Sequence, residues 1–127
     1  MKTYRDLIHE IAWIAAESTI VITENRIPSE QEAMDSINKR SLSSLKEGLQ
    51  TWHEKLLDHL STAADESLSK THRFDSNWAK FFGTTDIELE ELIRWIARHE
   101  YYHLGQIITY GWIQGRNPYR DRAGSES

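Results

Sequence analysis

Two histidines four residues apart, His99 and His103, follow the pattern H-E-x-x-H with Glu100 inside the stretch "RHEYYHLGQII" at Arg98–Ile108. On a helix, residues at i and i+4 share a face, so two imidazoles at this spacing can close on one divalent cation. The familiar use of the string is hydrolytic: zinc peptidases hold the ion with the two histidines and use the glutamate as general base. That use needs a third ligand downstream. The extended form H-E-x-x-H-x-x-G-x-x-H would want glycine where this chain has Gln106 and histidine where it has Thr109. The other form wants a later glutamate, and the only one after His103 is Glu126, within "DRAGSES". Glu100 also falls about 60–100° round the helix from the two histidines, and no strand is expected that would hold an extended peptide. A zinc peptidase is therefore the weakest reading of the motif.

At 100° per residue, Leu89, Leu92, Ile96, His99, His103, Gln106, Tyr110 and Ile113 form one stripe, with Arg94, Arg98 and Tyr101 opposite. The histidines thus occupy core-facing positions. A buried polar group without a partner costs roughly 1–3 kcal/mol, so each needs a hydrogen bond or a share of a metal. Three other histidines could complete a site on spacing alone. His9 lies in line with Trp13, Ala16 and Ile20 but borders the polar arc of its helix, while His53 and His59 flank the Leu45–Leu49–Trp52–Leu56 face on opposite sides. His72 is expected at the surface. Gln106, Glu10 and Glu100 are placed to orient ligands from behind; their plainer roles are a helix–helix hydrogen bond and solvated charges.

The elements that must position these residues are helical throughout. Thr3 with Asp6 makes a capping start for a first helix to about Thr23, nearly apolar all round and hence expected to be central. "ENRIPSE" reads as a loop, with Ser29 capping the next helical stretch. That second stretch runs from about Glu30 to Leu60, where Leu42, Leu45, Leu49, Trp52 and Leu56 keep the spacing of one buried face, and a break falls near Asn38–Ser41. Ser61–Gly83 reads as a long connection that packs Phe74, Trp78, Phe81 and Phe82 over one end of the bundle. The last helix is expected to open on a Thr85/Glu88 capping box and to stop at Gly115, with Pro118 beyond. No run alternates with period two, so no strand is expected. The reading is an all-α bundle domain over residues 1–115 with a flexible tail at 116–127.

Composition narrows the function. The 127 residues suffice for one core. A net charge of -5 disfavours nucleic acid, and Arg116, Arg120 and Arg122 read as a solvated tail. The absence of cysteine excludes disulfides, thiolate ligands and a protein-borne thiol nucleophile. No signal-peptide core and no run near the ~18 apolar residues of a membrane span is visible. The expected setting is cytoplasmic, away from membranes.

The chain resembles the DinB-like family of YfiT-type metal-binding four-helix bundles. The family's last-helix pattern, close to H-x-x-x-H-x-G-Q-I, is matched by His99, His103, Gly105, Gln106 and Ile107. An earlier helix of the family carries a histidine within a pattern like T-x-x-x-L-x-H-x-A, matched more loosely by Thr3, Leu7 and His9, and "LLDHLSTAADESL" resembles the exit from its third helix. The similarity runs from Thr3 to Gly115. It implies a divalent ion, zinc or nickel, held by His9, His99 and His103, which selects His9 over His53 and His59. It also implies, for some members, transfer reactions with low-molecular-weight thiols such as bacillithiol, or mycothiol-dependent isomerisation. Family members usually carry a further helix before the one bearing the first histidine, and this chain starts almost at that helix. Either the second stretch breaks into two useful pieces or a second chain covers the exposed face of the first helix, and a homodimer is the favoured expectation.

Two functions from different classes fit these features. In one, the protein is a metal-dependent enzyme acting on a small-molecule substrate, activating an external thiol as a transferase or water as a hydrolase. In the other, the metal is structural or vestigial and the chain is a non-catalytic helical bundle.

Overall fold

The computed structural model describes residues 3–73, 80 and 82–115. Four α-helices are present among them: α1 (Tyr4–Glu24), α2 (Glu30–Asp35), α3 (Leu42–Thr62) and α4 (Leu89–Ile113). A short 3-10 helix at Asp65–Ser69 comes after α3. The aromatic residues Phe74, Trp78 and Phe81 and the tail from Arg116 onward lie outside the described residues.

Local chemistry sets the helix starts. The Thr3 hydroxyl accepts from the Asp6 amide at 3.1 Å and the Asp6 carboxylate accepts from the Thr3 amide at 3.2 Å, which completes the expected capping box. Hydrogen bonding to the carboxylate from the Thr3 side chain, and then from its amide, holds the Asp6 carboxyl below its usual pKa. α1 runs to Glu24 and Asn25 closes it in the left-handed conformation, φ 55°. Ser29 caps α2 through the Glu32 amide. The second helical stretch breaks between Asp35 and Leu42, and Ser41 restarts it with a Ser44 capping box.

Two expectations are corrected. A small antiparallel ribbon exists, β1 (Thr71–Arg73) against β2 (Asp86–Glu88), with His72 opposite Ile87. Three-residue strands are too short to show period two, so the sequence carries no visible sign of them. The ribbon also takes the residues of the expected Thr85/Glu88 box: α4 begins at Leu89, Glu88 is its N-cap without a side-chain cap, and Leu89 N–H donates to the Lys70 carbonyl. At the far end Gln114 caps α4, and Gly115 adopts φ 80°, open to glycine at little cost.

α1 is central and packs against α3, α4 and α2. Ala12 and Ala16 share a cluster with Ile37 and Leu45, while Val21 and Ile22 share another with Leu56, Leu89, Leu92 and Ile96. α3 therefore runs alongside α1 in the same sense. α4 runs antiparallel to α1, and the Tyr4 hydroxyl reaches the Gln114 side chain at 3.1 Å. Small residues at Ala12, Ala15 and Ala16, all buried, let the neighbouring helices approach. Leu45 and Leu56 of the expected α3 face are buried, with Leu49 and Trp52 packed beside the core; Leu42 stands 66% exposed, because it is the first residue of α3 and lies beyond its contacts. Ile113 likewise ends the α4 stripe in solvent.

Candidate metal centre

α4 and α1 face each other across an open cleft of about 1380 Å³. Trp13 and Ile14 of α1, Met34 of α2, the Ile27–Ser29 loop and Trp95, Tyr102 and Tyr110 of α4 contribute to its walls. Into this cleft α4 delivers His99 and His103, and α1 delivers Glu10 one turn before Trp13 and Ile14.

The stripe geometry of α4 holds in its histidine segment. His103 is buried and His99 half-buried, while Arg94, Arg98 and Tyr101 are exposed. The two imidazole Nε2 atoms lie 3.0 Å apart, and Glu10 Oε1 lies 3.6 Å from His103 Nε2. Among the described residues, Glu10, His99 and His103 form a group whose ligand atoms all lie within 4.8 Å of one another. Donors held at ~2.1 Å by one tetrahedral zinc stand about 3.4 Å from each other. The two separations at His103 straddle that value, so two imidazoles and a carboxylate here could hold a divalent ion.

Hydrogen bonding sets the proton on His103. Gln106 Oε1 lies 2.6 Å from His103 Nδ1, and an amide oxygen can only accept. His103 Nδ1–H therefore donates, which leaves Nε2 with a bare lone pair aimed at His99 and Glu10. Gln106 is itself oriented by donating from Nε2 to the Tyr102 hydroxyl at 3.4 Å. Rings clamp the pair: Trp95 packs on His99 with centroids 5.4 Å apart, and Tyr102 meets His103 edge-on at 5.2 Å.

The other residues singled out by sequence are distributed around this group. Gln106 stands behind His103, bonded to its Nδ1. Glu10 lies with His99 and His103 in the group that could hold a metal ion. Glu100 faces away from the cleft and lies 2.6 Å from His53 Nε2 on α3. A peptidase would need that carboxylate beside the ion, and in this geometry it is turned to His53 on α3 instead. His9 is buried on the cleft wall, where its Nε2–H donates to the Met34 carbonyl at 3.2 Å. It is not a member of the Glu10–His99–His103 group. His59 is half-buried on α3, and His72 sits in β1, where burial and then the Lys70 charge lower its pKa.

The signal that could have promoted Glu10 is its adjacency to His9. Neighbours on a helix point 100° apart, so a modest rotation of α1 decides which of them faces α4. Periodicity puts both at the border of the apolar arc and cannot choose.

Among the described residues no helix is long and apolar enough to cross a membrane. A family model described as the DinB superfamily matches residues 4–107, which covers α1 through the histidine segment of α4. No curated protein and no solved structure shows significant similarity to the chain.

Proposed function

Since the chain belongs to the DinB superfamily, we propose that it is a metal-dependent enzyme whose ion is held by Glu10, His99 and His103. The observation that carries this reading is the approach of the two Nε2 atoms to 3.0 Å, with the far nitrogen of His103 already donated to Gln106. Once bound, a divalent ion such as zinc or nickel would supply a Lewis-acid position that acidifies a thiol or water.

The chain's own residues define the rest of the site. Glu10, His99 and His103 would hold the ion as three protein donors, and all three line the cleft, where a substrate would reach it. Trp13, Trp95 and Tyr102 offer aromatic walls to a small-molecule substrate, and Lys39 and Arg98 stand at the cleft as cations. Because the chain has no cysteine, a thiol nucleophile must arrive as a co-substrate. A reducing cytoplasm would keep such a thiol available. Transfer of an external low-molecular-weight thiol to an electrophile is the reading we favour over hydrolysis, since the spacious cleft, with aromatic walls and cations at its edge, suits two organic partners better than water and one. A purely structural ion is less well supported, because structural sites are closed by a fourth protein ligand and the group here comprises three.

Two measurements test the proposal. Metal analysis of untagged protein should find a stoichiometric divalent ion that is lost in His103→Ala and Glu10→Ala and retained in His9→Ala. Equal, substoichiometric metal in the wild type and His103→Ala would remove the site altogether. Loss in His9→Ala with retention in Glu10→Ala would return the third ligand to the histidine that the family resemblance selects. A screen of low-molecular-weight thiols with a generic electrophile should then show metal-dependent turnover, and activity that persists in the metal-free His103→Ala variant would sink the catalytic half.

A further inference from the structure

Beyond the ligand group, α1 puts one more carboxylate into the wall of the cleft. Glu10, Trp13, Ile14 and Glu17 fall on one face of the helix, and all four line the cavity. Glu17 is only 7% exposed. It is not a member of the Glu10–His99–His103 group. The metal site gives it no task.

We propose, on the reading of Glu10, His99 and His103 as the ligands of an ion, that Glu17 anchors a positively charged end of the substrate. The group it takes is an organic ammonium, held two turns of α1 away from the reacting end.

Charge in the cleft is sorted by depth. The cations that line it, Lys39 and Arg98, are both exposed. Arg98 is already bonded to Glu91, and Lys39 acts on the exposed carboxylate of Asp6. The two least exposed charged groups of the wall are Glu10 and Glu17. A carboxylate withdrawn from bulk water attracts a cation more strongly than one at the surface, because solvent and salt screen it less. With Glu10 committed to the ion, Glu17 is the inner charge that remains, and its sign selects a cation.

Aromatic rings stand where such a cation would sit. Trp13 lies one turn before Glu17 on α1. α4 runs antiparallel to α1, with His103 beside Glu10, so two turns back along α4 bring Trp95 roughly to the level of Glu17. Both indoles line the cleft, and an indole face attracts an ammonium while it buries the attached carbons. Such walls favour an organic cation over a hydrated metal ion.

The spacing also sets the size of the molecule. Seven residues of helix rise about 10 Å, so the ammonium and the reacting atom stand apart by that order of distance.

Calorimetric titration of the untagged, metal-loaded protein tests this with three probes of one shape: phenylpropylammonium, neutral phenylpropanol and anionic phenylpropanoate. The wild type should bind the cation at least about tenfold more tightly than either of the others. Glu17→Gln keeps the shape and removes the charge. It should level the three affinities to within about threefold, with metal content and circular dichroism unchanged. Glu10→Gln should lose the ion and keep the preference. A wild type without preference overturns the proposal. So does a preference that survives Glu17→Gln, which would leave Glu17 a purely structural residue, and so does a second equivalent of metal that Glu17→Gln loses. If Glu17→Gln does not fold, nuclear Overhauser contacts in the wild type decide. The methylene next to the probe's nitrogen should reach the indole protons of Trp13 or Trp95, and contacts confined to residues outside the cleft overturn the proposal. A wild type that carries no metal but keeps a preference dependent on Glu17 would sink the metal site and leave this subsite standing.

Discussion

His53 Nε2 on α3 lies 2.6 Å from Glu100 Oε1 on α4, so the two helices that flank α1 are joined directly by a charge-capable pair. The Glu100 carboxylate raises the His53 pKa, and partial burial works against it. A folded value above the unfolded one means that the folded state favours the imidazolium. Its contribution is complete below about 6.5 and is lost as the pH rises through the raised value. His53 is 38% exposed and Glu100 28%, so screening by solvent should hold the effect under about 1 kcal/mol. Thermal melts should show wild type above His53→Gln and Glu100→Gln at about pH 5.5, with the differences closing by about pH 9. A gap of the same size at both ends would mean that the contact is a neutral hydrogen bond.

Burial at the α1–α4 seam yields a prediction about stability. Leu92 is fully buried beside Val21, Ile22 and Ile96, two turns before His99. Leu92→Ala should cost about 2–5 kcal/mol, since the seam cannot collapse without moving α4. Urea denaturation checks it. If the variant remains folded at low denaturant it should still bind metal, because Leu92 touches packing and not the ligand group.

Metal should in turn stabilise the fold, because the proposed ligands Glu10, His99 and His103 come from two helices that separate on unfolding. At a free ion concentration about a hundredfold above Kd, linkage gives about 2.7 kcal/mol, or a rise in Tm on the order of 10 °C for a chain of this size. The rise should appear with zinc or nickel in the wild type and disappear on chelation. In His99→Ala it should be small or absent. An equal rise in that variant would mean that the ions act elsewhere.

How much the sequence discloses depends on the length scale of each signal. The 25-residue α4 shows its buried stripe from Leu89 to Tyr110 because many turns repeat it, and the Thr3–Asp6 box is visible because cap and carboxylate sit three residues apart. The Ser41 restart of α3 is foreshadowed by the serines and glycine that weaken the helix there. The β ribbon is hidden because three residues per strand hold no period, and with it goes the Thr85/Glu88 cap. Gln106 is legible as a partner of His103 since both lie on one stripe. Which of His9 and Glu10 lies closest to His99 and His103 is not legible, because the rotation of α1 is set by its contacts with Leu45, Leu49 and Trp52 on another helix. The bond between His53 and Glu100 joins residues 47 positions apart, beyond any local pattern.

Gln106 provides the most selective test of the site, because it touches the ligand and not the ion. Its Oε1 accepts the His103 Nδ1 proton at 2.6 Å, which fixes the tautomer that leaves Nε2 free to bind metal. Gln106→Leu keeps the volume but removes the acceptor, so His103 can rotate or carry its proton on the wrong nitrogen. Loss of such a supporting bond costs about 10–100-fold in metal affinity. Gln106→Glu keeps an oxygen in place and strengthens it as an acceptor, so affinity should be retained or raised. Competition titration with a chromophoric chelator separates the two. Equal affinities in wild type, Gln106→Leu and Gln106→Glu would show that the hydrogen bond does not set the ligand's state.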